Sequence, residues 1–91
     1  MPRYLIERDF GEPLTIPQNA AGVDAIKAVV ETNTEDGVTW VESYVTRDHK
    51  RAFCIYDAPT PEAVRRAAKH NGHPITQIWE VSVLSPYSYR A

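Results

Sequence analysis

The sequence is short of cysteine, of long apolar runs and of excess charge, and each shortage removes a class of protein. One cysteine, Cys54, occurs in 91 residues, so no disulfide can close within the chain and a reducing, cytoplasmic setting is expected. No apolar run approaches the roughly 18 residues that a membrane helix needs. The start, Met1-Pro2-Arg3-Tyr4, lacks the apolar core of a signal peptide, so none is expected. The formal net charge is −2. That balance leaves no basic surplus to neutralise phosphates, and nucleic acid is not an expected partner. Glycine-rich phosphate loops, HExxH, CxxC pairs and nucleophile elbows are also missing from the sequence.

What is present suits one small soluble domain. Hydrophobic residues make up 43% and charged residues 24%, ordinary proportions for a globular chain. A single domain over residues 1–91 is expected, with residues 85–91 as a tail. A domain of this size buries only about 60–65% of its unfolded surface, so a second packed surface would help it.

Residues 3–10 have the alternation of a strand, and Gly11, Pro13 and Pro17 mark a loop. Val23, Ile26 and Val30 share one face of a helix over about 19–32, with Gly22 weakening its first turn. Residues 38–47 and 51–57, rich in β-branched and aromatic side chains, form a hairpin around Asp48-His49-Lys50. Thr60-Pro61-Glu62 opens a second helix: a cap, a proline suited to the first turn, and an acid that complements the dipole. Its narrow stripe is Val64, Ala67 and Ala68, and Asn71-Gly72 with Pro74 ends it. Residues 75–84 form a last strand, and the aromatic tail over 86–90 is expected to pack on the domain. The order β-α-β-β-α-β predicts an α+β, ferredoxin-like domain: a four-stranded antiparallel sheet with two helices on one face.

Alternation then sorts the strand residues onto two faces. Tyr4, Ile6, Val41, Val45, Phe53, Ile55, Trp79, Val81 and Val83 are expected beneath the helices. Leu5, Glu7, Trp40, Glu42, Tyr44, Cys54, Tyr56, Ile78 and Glu80 are expected on the open face. An uncovered face carrying tryptophan and tyrosine invites a partner, and the cheapest partner is a second copy, with Leu5, Trp40, Tyr44 and Tyr56 at the interface. Carboxylates enclosed there need a cation, a donor or a proton, so the face is a wet pocket, a metal site or a hydrogen-bonded interface.

Several blocks carry a resemblance: Met1-Pro2-Arg3-Tyr4, Ile6-Glu7-Arg8-Asp9, Trp40-Val41 with Ser43-Tyr44-Val45-Thr46, Phe53-Cys54-Ile55-Tyr56 with Ala58-Pro59, and Gly72 with Pro74. Together, over residues 1 to about 84, they resemble a bacterial ferredoxin-like family long catalogued as a domain of unknown function. Its named relatives are nickel-binding or nickel-responsive proteins. The resemblance implies the ferredoxin-like fold, a homodimer, and nickel or another divalent transition metal as cofactor. The chain departs from the family's pattern where many relatives carry histidine: Glu42 stands at one such position, Ala67 near another, and the first strand has none. Those departures remove imidazoles, the ligands that best suit nickel. The donors left in register are Glu7, Cys54, Glu80 and His73; with Glu42 as a substitute ligand, Glu7, Glu42, Cys54 and Glu80 are expected to form one mixed carboxylate–thiolate site.

The plainer readings stand beside these. Cys54 between Phe53 and Ile55 is a sheltered structural cysteine. His70 complements the end of the second helix, His49 is exposed in a hairpin turn, and Arg65, Arg66 and Lys69 form a solvated basic face. Two functions are therefore expected in contention: a non-enzymatic homodimer binding a metal or small ligand, and a small dimeric α+β-barrel-type enzyme acting on an organic molecule.

Overall fold

The computed structural model describes residues 1–89. Its elements follow the expected order: β1 (Arg3–Asp9), α1 (Ala20–Glu35), β2 (Thr39–Val45), β3 (Arg51–Asp57), α2 (Pro61–Asn71) and β4 (Gln77–Val81). The sheet is antiparallel throughout in the order β2-β3-β1-β4. The fold is ferredoxin-like α+β, as the sequence predicts.

Local chemistry explains the boundaries. Asn19 caps α1 by accepting from the Gly22 amide at 3.1 Å, and Thr60 caps α2 by accepting from the Ala63 amide at 3.2 Å. Pro61 sits at the start of α2, Glu62 in its first turn and Lys69 and His70 in its last, each where the helix dipole favours it. Gly72 closes α2 in the left-handed region at φ 70°, which a glycine adopts without penalty. β4 is shorter than the predicted strand. The tail after it makes one short 3₁₀ turn, Pro86–Ser88, and leaves Tyr87 and Tyr89 exposed rather than packed. Arg90, the end of that predicted aromatic tail, lies outside the described residues.

The register corrects the predicted faces. Tyr4 lies opposite Tyr56, Ile6 opposite Cys54 and Arg8 opposite Ala52, and directly opposed residues share a face. Tyr4, Ile6, Ala52, Cys54 and Tyr56 are all buried under the helices. Cys54 and Tyr56 therefore belong to the core, and Phe53 and Ile55 to the open face, the reverse of the alternation argument. β4 is reversed too: Ile78 opposes Ile6 and packs on the core, whereas Trp79 opposes Leu5 on the open face. In β2 a bulge between Trp40 and Glu42 absorbs Val41. It places Trp40, stacked on Tyr56 with ring centroids 6.4 Å apart, beneath the helices, while Glu42 and Tyr44 face outward. Apolar residues occupy both faces of β3 and β4, so alternation alone had no polar side to choose. Pairing with β1 decides the matter.

The helices pack unequally. α2 buries Ala63, Val64, Ala67 and Ala68 on the sheet. α1 buries only Gly22 and Asn33, which are about 16 Å apart at 1.5 Å per residue. Val23 and Val30, expected in its core stripe, are 53% and 45% exposed. At the first anchor a Cβ on Gly22 would lie 1.7 Å from the Pro17 carbonyl oxygen, so only glycine permits that approach. At the second, Asn33 accepts from Asn71 Nδ2 at 3.1 Å, tying α1 to α2. Between these anchors the helix stands off the sheet.

Candidate functional site

The gap beneath α1 is a cavity of about 260 Å³. Ala25, Ile26 and Val29 roof it, Phe10, Leu14 and Ile16 of the loop close one side, and Trp40, Ala52, Cys54 and Tyr56 form the floor. The lining is overwhelmingly apolar, with Arg8 and His73 as its ionisable nitrogen groups. Small apolar cavities of this kind, with a few placed polar groups, are the usual form of a ligand site.

Arg8 is the unusual member. It continues the Tyr4, Ile6 series at every second residue, so β1 points it under the helices, and it is only 3% exposed. Its Nη1 donates to the Pro74 carbonyl at 2.8 Å, its Nη2 to the Tyr56 hydroxyl at 3.4 Å, and its guanidinium lies 5.6 Å from the Tyr56 ring centroid. Among the described residues no carboxylate pairs with it. Arginine is almost never this buried without an anionic partner. Burial, opposed by the Arg8 charge, holds the Tyr56 hydroxyl above its ordinary range, so it keeps its proton and can still donate. Burial, and then the Arg8 charge, hold the His73 imidazole below its ordinary value, so it is neutral at neutral pH. Trp40 Nε1 is spent on Ser43 Oγ at 2.9 Å.

Sequence reasoning did not single out Arg8. The signal was available: an arginine in phase with Tyr4 and Ile6 puts a charge on the covered side of the sheet. Of the predicted interface residues, Leu5 and Tyr44 do face outward, while Trp40 and Tyr56 line the cavity instead.

The five metal candidates do not converge. Glu7 and Glu42 lie on the open face, two strands apart. Cys54 is buried on the helix side, Glu80 shares that side on the edge strand, opposite Tyr4, and His73 belongs to the loop entering β4. Glu7 is engaged by Arg51 at 3.0 Å. Among the described residues no three His, Cys, Asp or Glu side chains group as a metal site requires. The residues of one chain therefore do not fit a nickel centre. His70 is placed not on the last carbonyls of α2 but 2.8 Å from Asp36 Oδ2, at the end of α1. Arg66, from the predicted solvated face, also reaches Asp36, at 3.8 Å.

The open face has its own character. Leu5 lies between Ile55 and Trp79, and Phe53 between Glu7 and Tyr44. Tyr44 is 60% and Trp79 44% exposed. Arg3 grips Asp57 through two bonds of 2.7 and 3.0 Å, which holds the Asp57 carboxyl below its usual range. A hydrogen bond from Tyr44 to Glu42 raises the tyrosine instead.

Elsewhere, no helix is long and apolar enough to cross a membrane among the described residues. Comparison with known proteins agrees with this architecture. The crystal structure of SCO4226 from Streptomyces coelicolor A3(2) superposes with a TM-score of 0.72 at 18% identity, covering 91% of this chain and 99% of that one. At that identity the likeness shows the fold. No curated protein matches the chain. The family model described as nickel responsive protein SCO4226-like matches residues 4–81. The chain thus belongs to the SCO4226-like family of nickel-responsive proteins.

Proposed function

We propose that the chain is a small non-enzymatic binding protein that takes a small organic ligand between α1 and the sheet and pairs with a second copy across the open face. The observation that carries the reading is the preformed apolar cavity, spanned by a helix anchored at its two ends and furnished with a buried guanidinium that pairs with no carboxylate among the described residues. The polar groups there are donors suited to holding a ligand. Tyr56 and Arg8 are bonded to each other rather than set out as a nucleophile with its base.

The second copy follows from the outer face. Leu5, Phe53, Ile55 and Trp79 form an apolar patch, and its flanking charges are already matched by Arg3–Asp57 and Arg51–Glu7. A self-matched patch suits a two-fold contact, in which each group meets its own copy. Sedimentation of the untagged protein is expected to give a dimer, and Leu5→Arg a monomer that keeps its fold by circular dichroism. A wild-type monomer at every concentration reached would remove the pairing.

Family membership favours a second reading, a transition metal such as nickel. Since one chain does not assemble the donors, the metal would have to draw carboxylates, Glu7 and Glu42 among them, from two copies across the open face. Elemental mass spectrometry on untagged, chelator-stripped protein re-equilibrated with mixed metals tests it. Retention lost in both Leu5→Arg and Glu42→Gln supports a shared site; no retention ends the metal reading.

A further inference from the structure

Resting on the cavity reading above, we infer that the ligand is a small organic anion, a carboxylate on a compact hydrocarbon body, whose head is received by Arg8. The cavity is partly open to solvent, is lined almost wholly by apolar surface and has a single buried positive charge. That charge has a carbonyl, a hydroxyl and an aromatic face for company, all neutral. A guanidinium carries five N–H donors in a planar fork that matches a carboxylate, and here two hydrogen bonds are recorded for it. Neighbouring buried groups are donors as well: Tyr56 keeps its proton, and Asn33 Nδ2, beside it, has no hydrogen-bond partner within 3.5 Å among the described residues. A buried interior with surplus donors and no anion is completed by an acceptor that brings negative charge.

The size of the body follows from the volume. A cavity of about 150 Å³ holds a benzene, so about 260 Å³ accommodates on the order of ten non-hydrogen atoms by proportion. Phenylacetate and octanoate meet that limit. Ile26, Val29 and Phe10 would enclose the hydrocarbon, while the head lies toward Arg8 and His73. A carboxylate there would also oppose the Arg8 charge, which adds to burial in holding the imidazole below its ordinary value.

Calorimetric titration of the full chain with phenylacetate and octanoate, each beside its neutral amide, tests the assignment. The acids are expected to bind roughly tenfold or more tighter than the amides, the usual advantage of a charged hydrogen bond. Arg8→Met is expected to erase that preference while the amides still bind. NMR titration of the His73 imidazole in the unaltered protein gives a second readout that needs no variant: the acids raise its pKa and the amides leave it in place. Acids and amides of equal affinity would overturn the anion assignment and leave the cavity reading standing. Binding of neither would overturn the cavity reading itself.

Discussion

The two helices cover the same sheet in opposite ways. α2 turns a stripe of Ala63, Val64, Ala67 and Ala68 inward, and all four are buried, Val64 fully. α1 turns Ile26 and Val29 toward the cavity, and its two buried residues, Gly22 and Asn33, meet the Pro17 carbonyl and Asn71 of α2. Side chains at those two positions do different jobs: one is absent, so that the Pro17 carbonyl can approach, and the other is a polar link to Asn71. One helix therefore supplies packing and the other spans a gap. A domain of 91 residues has little core to spare, so leaving one helix half-packed gives up stability that closer packing would have supplied. That pattern belongs to sites which must admit something.

The difference is testable by matched substitutions. The largest contrast is expected between Val64→Ala and Val23→Ala. The first removes a fully buried side chain and should cost about 2–3 kcal/mol; the second trims an exposed one and should stay within about 0.5 kcal/mol. Urea unfolding compares the two, and equal losses would mean that α1 packs as tightly as α2. Next comes a pair of enlargements. Ala67→Leu forces volume into a filled interface and should destabilise by about 1–3 kcal/mol. Ala25→Leu points into the cavity and should be close to neutral, while blocking any ligand that enters there. A smaller effect is expected with pH. The folded state holds the His73 imidazole below its unfolded value, so the unfolded chain binds more protons and stability falls as pH drops through and below about 6.5. His73→Gln should flatten that slope between pH 7.5 and 5, leaving the carboxylates to act at lower pH. Arg3–Asp57 supplies such an acid limb: its depressed carboxyl contributes above the usual carboxylate range and is lost as acid protonates it.

Legibility varied with the physics of each feature. The element order, the Thr60 cap and the glycine stop of α2 follow from side chains acting on their own backbone, and they stand where the sequence predicts them. The predicted metal set failed to converge because it rested on a face assignment. Cys54 and Glu7 were placed together by alternation, yet the pairing of β3 with β1 puts them on opposite sides. The bulge at Val41 moved Trp40 away from Glu42 in the same manner. A one-residue slip turns every side chain of a strand over, and sequence offered no polar face to fix the phase.

By itself, then, the sequence determined the class of fold, the boundaries of most elements and the absence of an internal disulfide, because these depend on local preference and composition. Only the tertiary structure decided which face of β3 and β4 is covered, that α1 is anchored at its ends, and that Arg8 is buried beside a cavity with no anionic partner among the described residues. Those outcomes depend on register and on the distance between packed layers, and neither is written in any short stretch of residues.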